Sequence, residues 1–134
     1  MNPRISLIIP AYNEQERIGN TLRCAQKYFS RQEYSWEIIV VDDGSIDNTQ
    51  GVVSAGFPHV HLIRHEQNRG KGFAVKTGMA AANGEFLLYY DADGSTPIEE
   101  IEKIWAEFSN GYDIVIGSRA LPESDIAVRQ SFLR

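Results

Sequence analysis

The sequence predicts an α/β domain, a mostly parallel central sheet with helices on both faces. Three observations carry that expectation. Short β-rich runs alternate with longer stretches of helical periodicity along the chain. The runs Ile5–Ile9 and Trp36–Val41 are apolar almost without a break, as strands covered on both faces are. Polar and acidic clusters follow the strands, which is the side on which a parallel sheet binds its ligands.

In chain order, Ile5–Ile9 reads as the first strand, stopped by Pro10. Asn13 is a suitable N-cap for a helix over Glu14–Phe29, with Glu14 and Glu16 in its first turn and Ile18, Leu22, Ala25 and Phe29 on one face. Cys24 is expected on the inner side of that helix. Trp36–Val41 is the second strand, and Asp47 or Asn48 caps a short helix around Thr49–Ser54. Gly56 and Pro58 separate that helix from a third strand, His59–Arg64. A loop with Asn68, Gly70 and Gly72 leads into a helix over Phe73–Ala82, which Asn83-Gly84 stops before a fourth strand, Glu85–Tyr90. Pro97 opens another helix with Ile98, Ile101, Trp105 and Phe108 inward, and Tyr112–Ile116 reads as a fifth strand.

With 134 residues and no internal repeat or low-complexity linker, the chain is read as one domain over 1–134. It stops at Arg134 inside what reads as the start of a helix, so truncation on that side is expected. A composition of 43% hydrophobic and 23% charged residues is that of a globular protein. The net charge of −5 argues against a nucleic-acid partner, yet suits an anionic substrate accompanied by a divalent cation. Cys24 is the single cysteine, which excludes an intrachain disulfide and a cysteine zinc site and points to a reducing, cytoplasmic setting. No apolar run reaches the ~20 residues of a membrane span.

The chemistry is expected in three loops at one edge of the sheet: Pro10-Ala11-Tyr12-Asn13-Glu14, Asp42-Asp43-Gly44-Ser45 and Asp91-Ala92-Asp93-Gly94. The carboxylates of Asp91 and Asp93, one residue apart, repel each other unless a cation joins them. Hard oxygen ligands with few protein contacts suit Mg²⁺ or Mn²⁺, whose remaining positions go to water and phosphate. A calcium loop from Asp91 to Glu102 fails, because Gly94 comes too early and Pro97 holds a ligand position. Asn68-Arg69-Gly70-Lys71-Gly72 has neither Walker spacing nor the third glycine of a dinucleotide fingerprint, but it can set Lys71 and a helix N-terminus against an anionic nucleotide. His59 and His61 share a strand face without a third ligand nearby and read as structural or surface residues.

Ile8–Glu14, Val40–Thr49, Asn68–Gly72 and Asp91–Asp93 stand in the order and spacing of the inverting family 2 glycosyltransferases, which the chain resembles over nearly its whole length. Asp91–Pro97 and Gly117–Ala120 look most like dolichyl-phosphate glucosyltransferases, with dolichyl-phosphate mannose synthases similar. The resemblance implies a GT-A fold, a Rossmann-like nucleotide-sugar domain, and transfer from a nucleoside-diphosphate sugar, UDP-glucose first, to polyprenyl or dolichyl phosphate with inversion at a cytoplasmic membrane face. It implies that Pro10, Ala11, Tyr12, Glu14, Asp42, Gly70, Lys71, Asp91 and Ala92 serve the nucleotide sugar, with Asp42 on the base. Asp91 and Asp93 become the catalytic and metal residues, Asp93 the principal ligand, and Arg119, Ser131 and Arg134 the clamp on the acceptor phosphate. A lipid phosphate is already ionised near neutrality and needs cations rather than a general base, which Arg129 would also supply. Glu123 and Asp125 are the candidate bases should the acceptor be a hydroxyl. Extension of a glycan by a family 2 transferase, or a nucleotide-binding fragment without turnover, are the rival readings.

Overall fold

In the computed structural model residues 2–118 are described. They fall into two units, 2–98 and 99–118. The first runs β1 (Ile5–Ala11), α1 (Ile18–Phe29), β2 (Trp36–Asp42), α2 (Thr49–Gly56), β3 (His61–Arg64), α3 (Lys71–Ala81) and β4 (Phe86–Tyr89). All strand pairs are parallel, in the order β3-β2-β1-β4. The chain therefore builds outward from β1 to one side and then crosses to the other, which puts a switch point between β1 and β4.

Every residue of β1 is buried, and so are Ile38–Asp42 of β2. Side chains alternate between faces along a strand, so full burial means that both faces of these central strands are covered. One face packs on α3: a Cβ on Gly78 would come 2.4 Å from Ile8 Cγ2 and 3.1 Å from Val41 Cγ2, so the glycine lets the helix lie close to the sheet. Ile39, Val41 and Ala74 form the core there. The face of α1 that carries Ile18, Leu22, Ala25 and Phe29 is fully buried, and the Phe29 ring stacks on Trp36 at 5.6 Å.

Several boundaries differ from the expectations. Pro10 does not stop β1. Ile8 O accepts from Tyr90 N, so the backbone groups of residues 8 and 10 turn toward β4, and pairing with β4 ends at Ile8. No ladder bond is lost at a residue without N–H. Asn13 is not an N-cap; it adopts φ 54° and the helix begins at Ile18, after a turn in which Arg17 and Ile18 N–H both donate to Glu14 O. Cys24 is exposed, two positions past Leu22 and so on the far side of the wheel from it. His59 precedes β3 and, like His61, is exposed.

A 3₁₀ turn (Ile98–Glu100) just after Pro97 ends the first unit at Ile98 and leads directly into α4 (Ile101–Phe108) of the second. Trp105 and Phe108 meet edge to face at 5.9 Å. The fifth strand expected over Tyr112–Ile116 is not formed. Tyr112, Ile114 and Ile116 are exposed, and among the described residues no ladder reaches them. An alternating pattern becomes a strand only beside a partner.

Candidate functional site

Parallel register brings Ala11, Asp42 and Arg64 level at the carboxyl end of the sheet. The loops that leave it are tied to one another. Asn13 N donates to Ser45 Oγ and Ile46 N to Asn13 Oδ1, at 2.9 and 3.0 Å. Glu14 N donates to Thr49 Oγ1 at 2.8 Å, Gln15 N to Asp47 Oδ2 at 3.2 Å, and Asn48 N to Gln15 Oε1 at 2.8 Å. Bonding to Ile46 is what holds Asn13 in its left-handed conformation, which Asn tolerates better than most residues.

Beside these loops lies a cleft of about 470 Å³ lined by Pro10, Ala11, Tyr12 and Glu14 after β1, Asp43 after β2, Asn68, Gly70, Lys71 and Ala74 around the start of α3, and Asp91–Asp93 after β4. Of the residues expected to serve the nucleotide sugar or a metal, the structure gathers all but Asp42. That carboxylate is fully buried behind the cleft: Oδ1 accepts from Ser45 N at 3.0 Å and Oδ2 lies 3.5 Å from Arg64 Nε. The reason is one of register. Asp42 is the last residue of β2 and pairs with Arg64 across the strands, so Asp43 is the first carboxylate clear of the sheet.

Asp43 is buried and well satisfied. Oδ1 meets His65 Nδ1 at 2.6 Å and Arg69 N at 3.0 Å, and Oδ2 accepts from Gly70 N at 2.8 Å. Burial alone raises its pKa; His65 and the N–H groups of Arg69 and Gly70 outweigh that and hold it below the usual 3.8. Three donors leave a carboxylate with acceptor capacity for one more. Gly44 follows at φ 73°, where a Cβ would strike the backbone of Gln67 at 2.4 Å, so this turn admits only glycine.

Gly70, at φ 93°, turns the chain into α3, whose first residue is Lys71. Lys71 Nζ reaches Asp91 Oδ1 at 2.6 Å, and Tyr89 OH donates to the same oxygen at 2.5 Å. The hydrogen bonds to Asp91 and Tyr89 raise the lysine pKa, so it is a cation throughout the neutral range. Burial and the adjacent Asp91 raise that of Tyr89, which stays a phenol. Asp93 is exposed, and its Oδ1 accepts from Ser95 N at 2.9 Å. Between the two, Ala92 O accepts from buried Thr21 Oγ1 of α1 at 2.7 Å, which fixes the height of the acidic loop. Glu14 lines the cleft, but its carboxylate is held in a two-pronged pair with Arg17 at 2.7 Å.

Among the described residues no group of three or more His, Cys, Asp or Glu side chains could cage a metal ion. Two carboxylates at one mouth fit instead an ion that arrives with a phosphate ligand and keeps water in its other positions. Arg119, Ser131 and Arg134, with Glu123, Asp125 and Arg129, lie outside the described residues.

Fold and cleft define a Rossmann-like α/β binding domain with an acidic mouth at its switch point. The chain belongs to glycosyl transferase family 2, whose model matches residues 6–131. It is similar to a dolichyl-phosphate beta-glucosyltransferase of Dictyostelium discoideum, 38% identical over 99% of this chain and 45% of that protein. The dolichyl-phosphate beta-glucosyltransferase of Homo sapiens is 33% identical over 98% of this chain and 45% of its own length. The chain thus spans less than half of the curated relatives it matches. Among solved structures, a mannosyltransferase from Pyrobaculum calidifontis in complex with GDP-Man and Mn²⁺ superimposes with TM-score 0.58 at 32% identity, over 69% of this chain and 28% of that one. S. aureus TarS 1-349 in complex with UDP-GlcNAc gives TM-score 0.63 at 30% identity, over 83% of this chain and 32% of that one. The GT-A, Rossmann-like architecture expected from the motifs is the one observed.

Proposed function

We propose that the cleft is the donor site of a hexosyltransferase that takes a nucleoside-diphosphate sugar, UDP-glucose first, and passes the sugar to polyprenyl or dolichyl phosphate with inversion. The observation that carries this reading is the meeting of Asp43, Lys71, Asp91 and Asp93 in one cleft of a family 2 chain. The acceptor is supported by the names of the relatives and the nucleotide by the ligands of the solved neighbours.

In this reading Asp43 uses its remaining acceptor position for an N–H of the base. The diphosphate lies toward the N-terminus of α3, where Lys71 and the free backbone N–H groups favour an anion. Mg²⁺ or Mn²⁺ held by Asp93, with Asp91 beside it, would neutralise the charge of the departing diphosphate. An acceptor phosphate oxygen bonds to the anomeric carbon from the side opposite the diphosphate, the carbon–oxygen bond to the diphosphate breaks, and the electron pair leaves with the nucleotide. Because that oxygen is already ionised, no proton needs to be removed. Lys71 shares Asp91 with Tyr89 and can turn toward a phosphate while the phenol keeps its bond to the carboxylate.

The test is incubation of the protein with radiolabelled UDP-glucose, Mn²⁺ and dolichyl phosphate in detergent. Label is expected in a lipid extract, as a hexosyl phospholipid by mass. Label confined to water-soluble glycan would overturn the acceptor and support the glycan-extending reading. UDP binding without turnover of any acceptor would support a purely nucleotide-binding role.

A further inference from the structure

His65 belongs to no motif, yet it is part-buried one residue beyond β3, with its side chain 10% exposed. Its backbone N–H donates to Asp42 O at 2.9 Å, which carries the chain past the sheet edge and turns the ring toward the cleft loops. Nδ1 lies 2.6 Å from Asp43 Oδ1, and Nε2 lies 3.0 Å from Thr77 Oγ1 on α3. The Thr77 hydroxyl also lies 3.0 Å from Phe73 O, to which it donates, and the ionised Asp43 accepts from Nδ1–H of the ring. The ring also meets the edge of Phe73 at 5.3 Å, and Phe73 in turn carries the Arg69 guanidinium 3.6 Å above its face.

We infer that His65 is a positioning residue for the donor cleft, bracing Asp43 against α3 so that its carboxylate holds the Asn68–Lys71 loop in shape. Asp43 is the shared member of two sets of bonds. One runs through His65 to Thr77, and the other runs to the N–H groups of Arg69 and Gly70. Without the histidine bond, the carboxylate is tethered only to the loop it is meant to shape. Lys71, next to Gly70, and the open acceptor position of Asp43 would then both lose their fixed place. This rests on the reading of the cleft as a nucleotide site.

The side chains of asparagine and glutamine separate the bond from mere packing. An asparagine amide nitrogen is as many bonds from Cβ as Nδ1 is, and that of glutamine as many as Nε2. His65→Asn can therefore keep the bond to Asp43, while His65→Gln can keep only the bond to Thr77. We expect calorimetry of UDP with Mn²⁺ to give His65→Asn within about threefold of the unaltered chain, and His65→Gln and His65→Leu weaker by about tenfold, the usual worth of a hydrogen bond to a charged group. Circular dichroism melts report whether each variant is folded, and His65→Gln decides if His65→Leu is not. UDP affinity unchanged in His65→Gln, or lost equally in His65→Asn and His65→Leu, would overturn the role of His65 and leave the donor site standing. No UDP binding by the unaltered chain would overturn both.

Discussion

Two carboxylates of the cleft face opposite demands. Asp43 is buried and surrounded by donors, whereas Asp93 stands exposed with one oxygen turned to Ser95 N. The first belongs to the fold as much as to the site. Its folded pKa is depressed, so the stability it contributes is present above the unfolded value near 3.8 and is lost as the pH falls through the lower folded value. Asp43→Asn is expected to lower stability at neutral pH and to flatten its fall with acidification, measured as urea midpoints from about pH 5 downward. Asp93→Ala, by contrast, should leave the melting temperature within about 2 °C, as surface substitutions do. It should bring UDP affinity in Mn²⁺ down to that of the unaltered chain in EDTA. Affinity that ignores both EDTA and the substitution would remove the metal from the proposal. The acidic clusters were legible because polar residues after apolar runs stand out. Which of Asp42 and Asp43 faces the cleft was not, since it turns on whether the strand ends at residue 41 or 42. His65 left no signal at all, because both of its partners are distant in sequence and meet it only through the fold.

At the scale of elements, periodicity located four strands and their helices, and the boundaries moved wherever a tertiary bond outbid a local preference. Asn13 illustrates this, as its amide serves a neighbouring loop rather than a helix end. Pro10 does the same from the other side: a proline is harmless in a strand whose missing N–H faces no ladder partner. The fifth strand failed for want of a partner among the described residues, which an alternating pattern cannot reveal. The contact of α3 with the sheet yields a prediction of its own. Gly78→Ala gains up to ~1 kcal/mol of helix propensity but forces a methyl group onto the buried, β-branched Ile8 and Val41, where overpacking costs about 1–3 kcal/mol. A net loss of stability of about 1 kcal/mol is expected in thermal melts, and a stabilised variant would show that the helix can lift off freely.

For the whole molecule, the chain spans 45% of the length of its Dictyostelium relative. No helix among the described residues is long and apolar enough to cross a membrane. With a net charge of −5, a cation arriving with the proposed donor would join the electrostatic balance of the cleft, of which Lys71 supplies one positive charge. Ligand linkage follows. UDP with Mn²⁺ at a hundred times its dissociation constant should stabilise the chain by about 2.7 kcal/mol, and EDTA should withdraw most of the gain. A melting temperature indifferent to UDP would mean that the cleft is not a nucleotide site.

The seam between the loops after β1 and β2, sewn by Asn13, Gln15, Ser45, Asp47 and Thr49, bears on how such a domain can be re-engineered. Grafting either loop alone from another transferase would strip donors and acceptors from the loop left behind. A transplantation meant to reshape this edge of the cleft therefore has to move both loops as a single cassette.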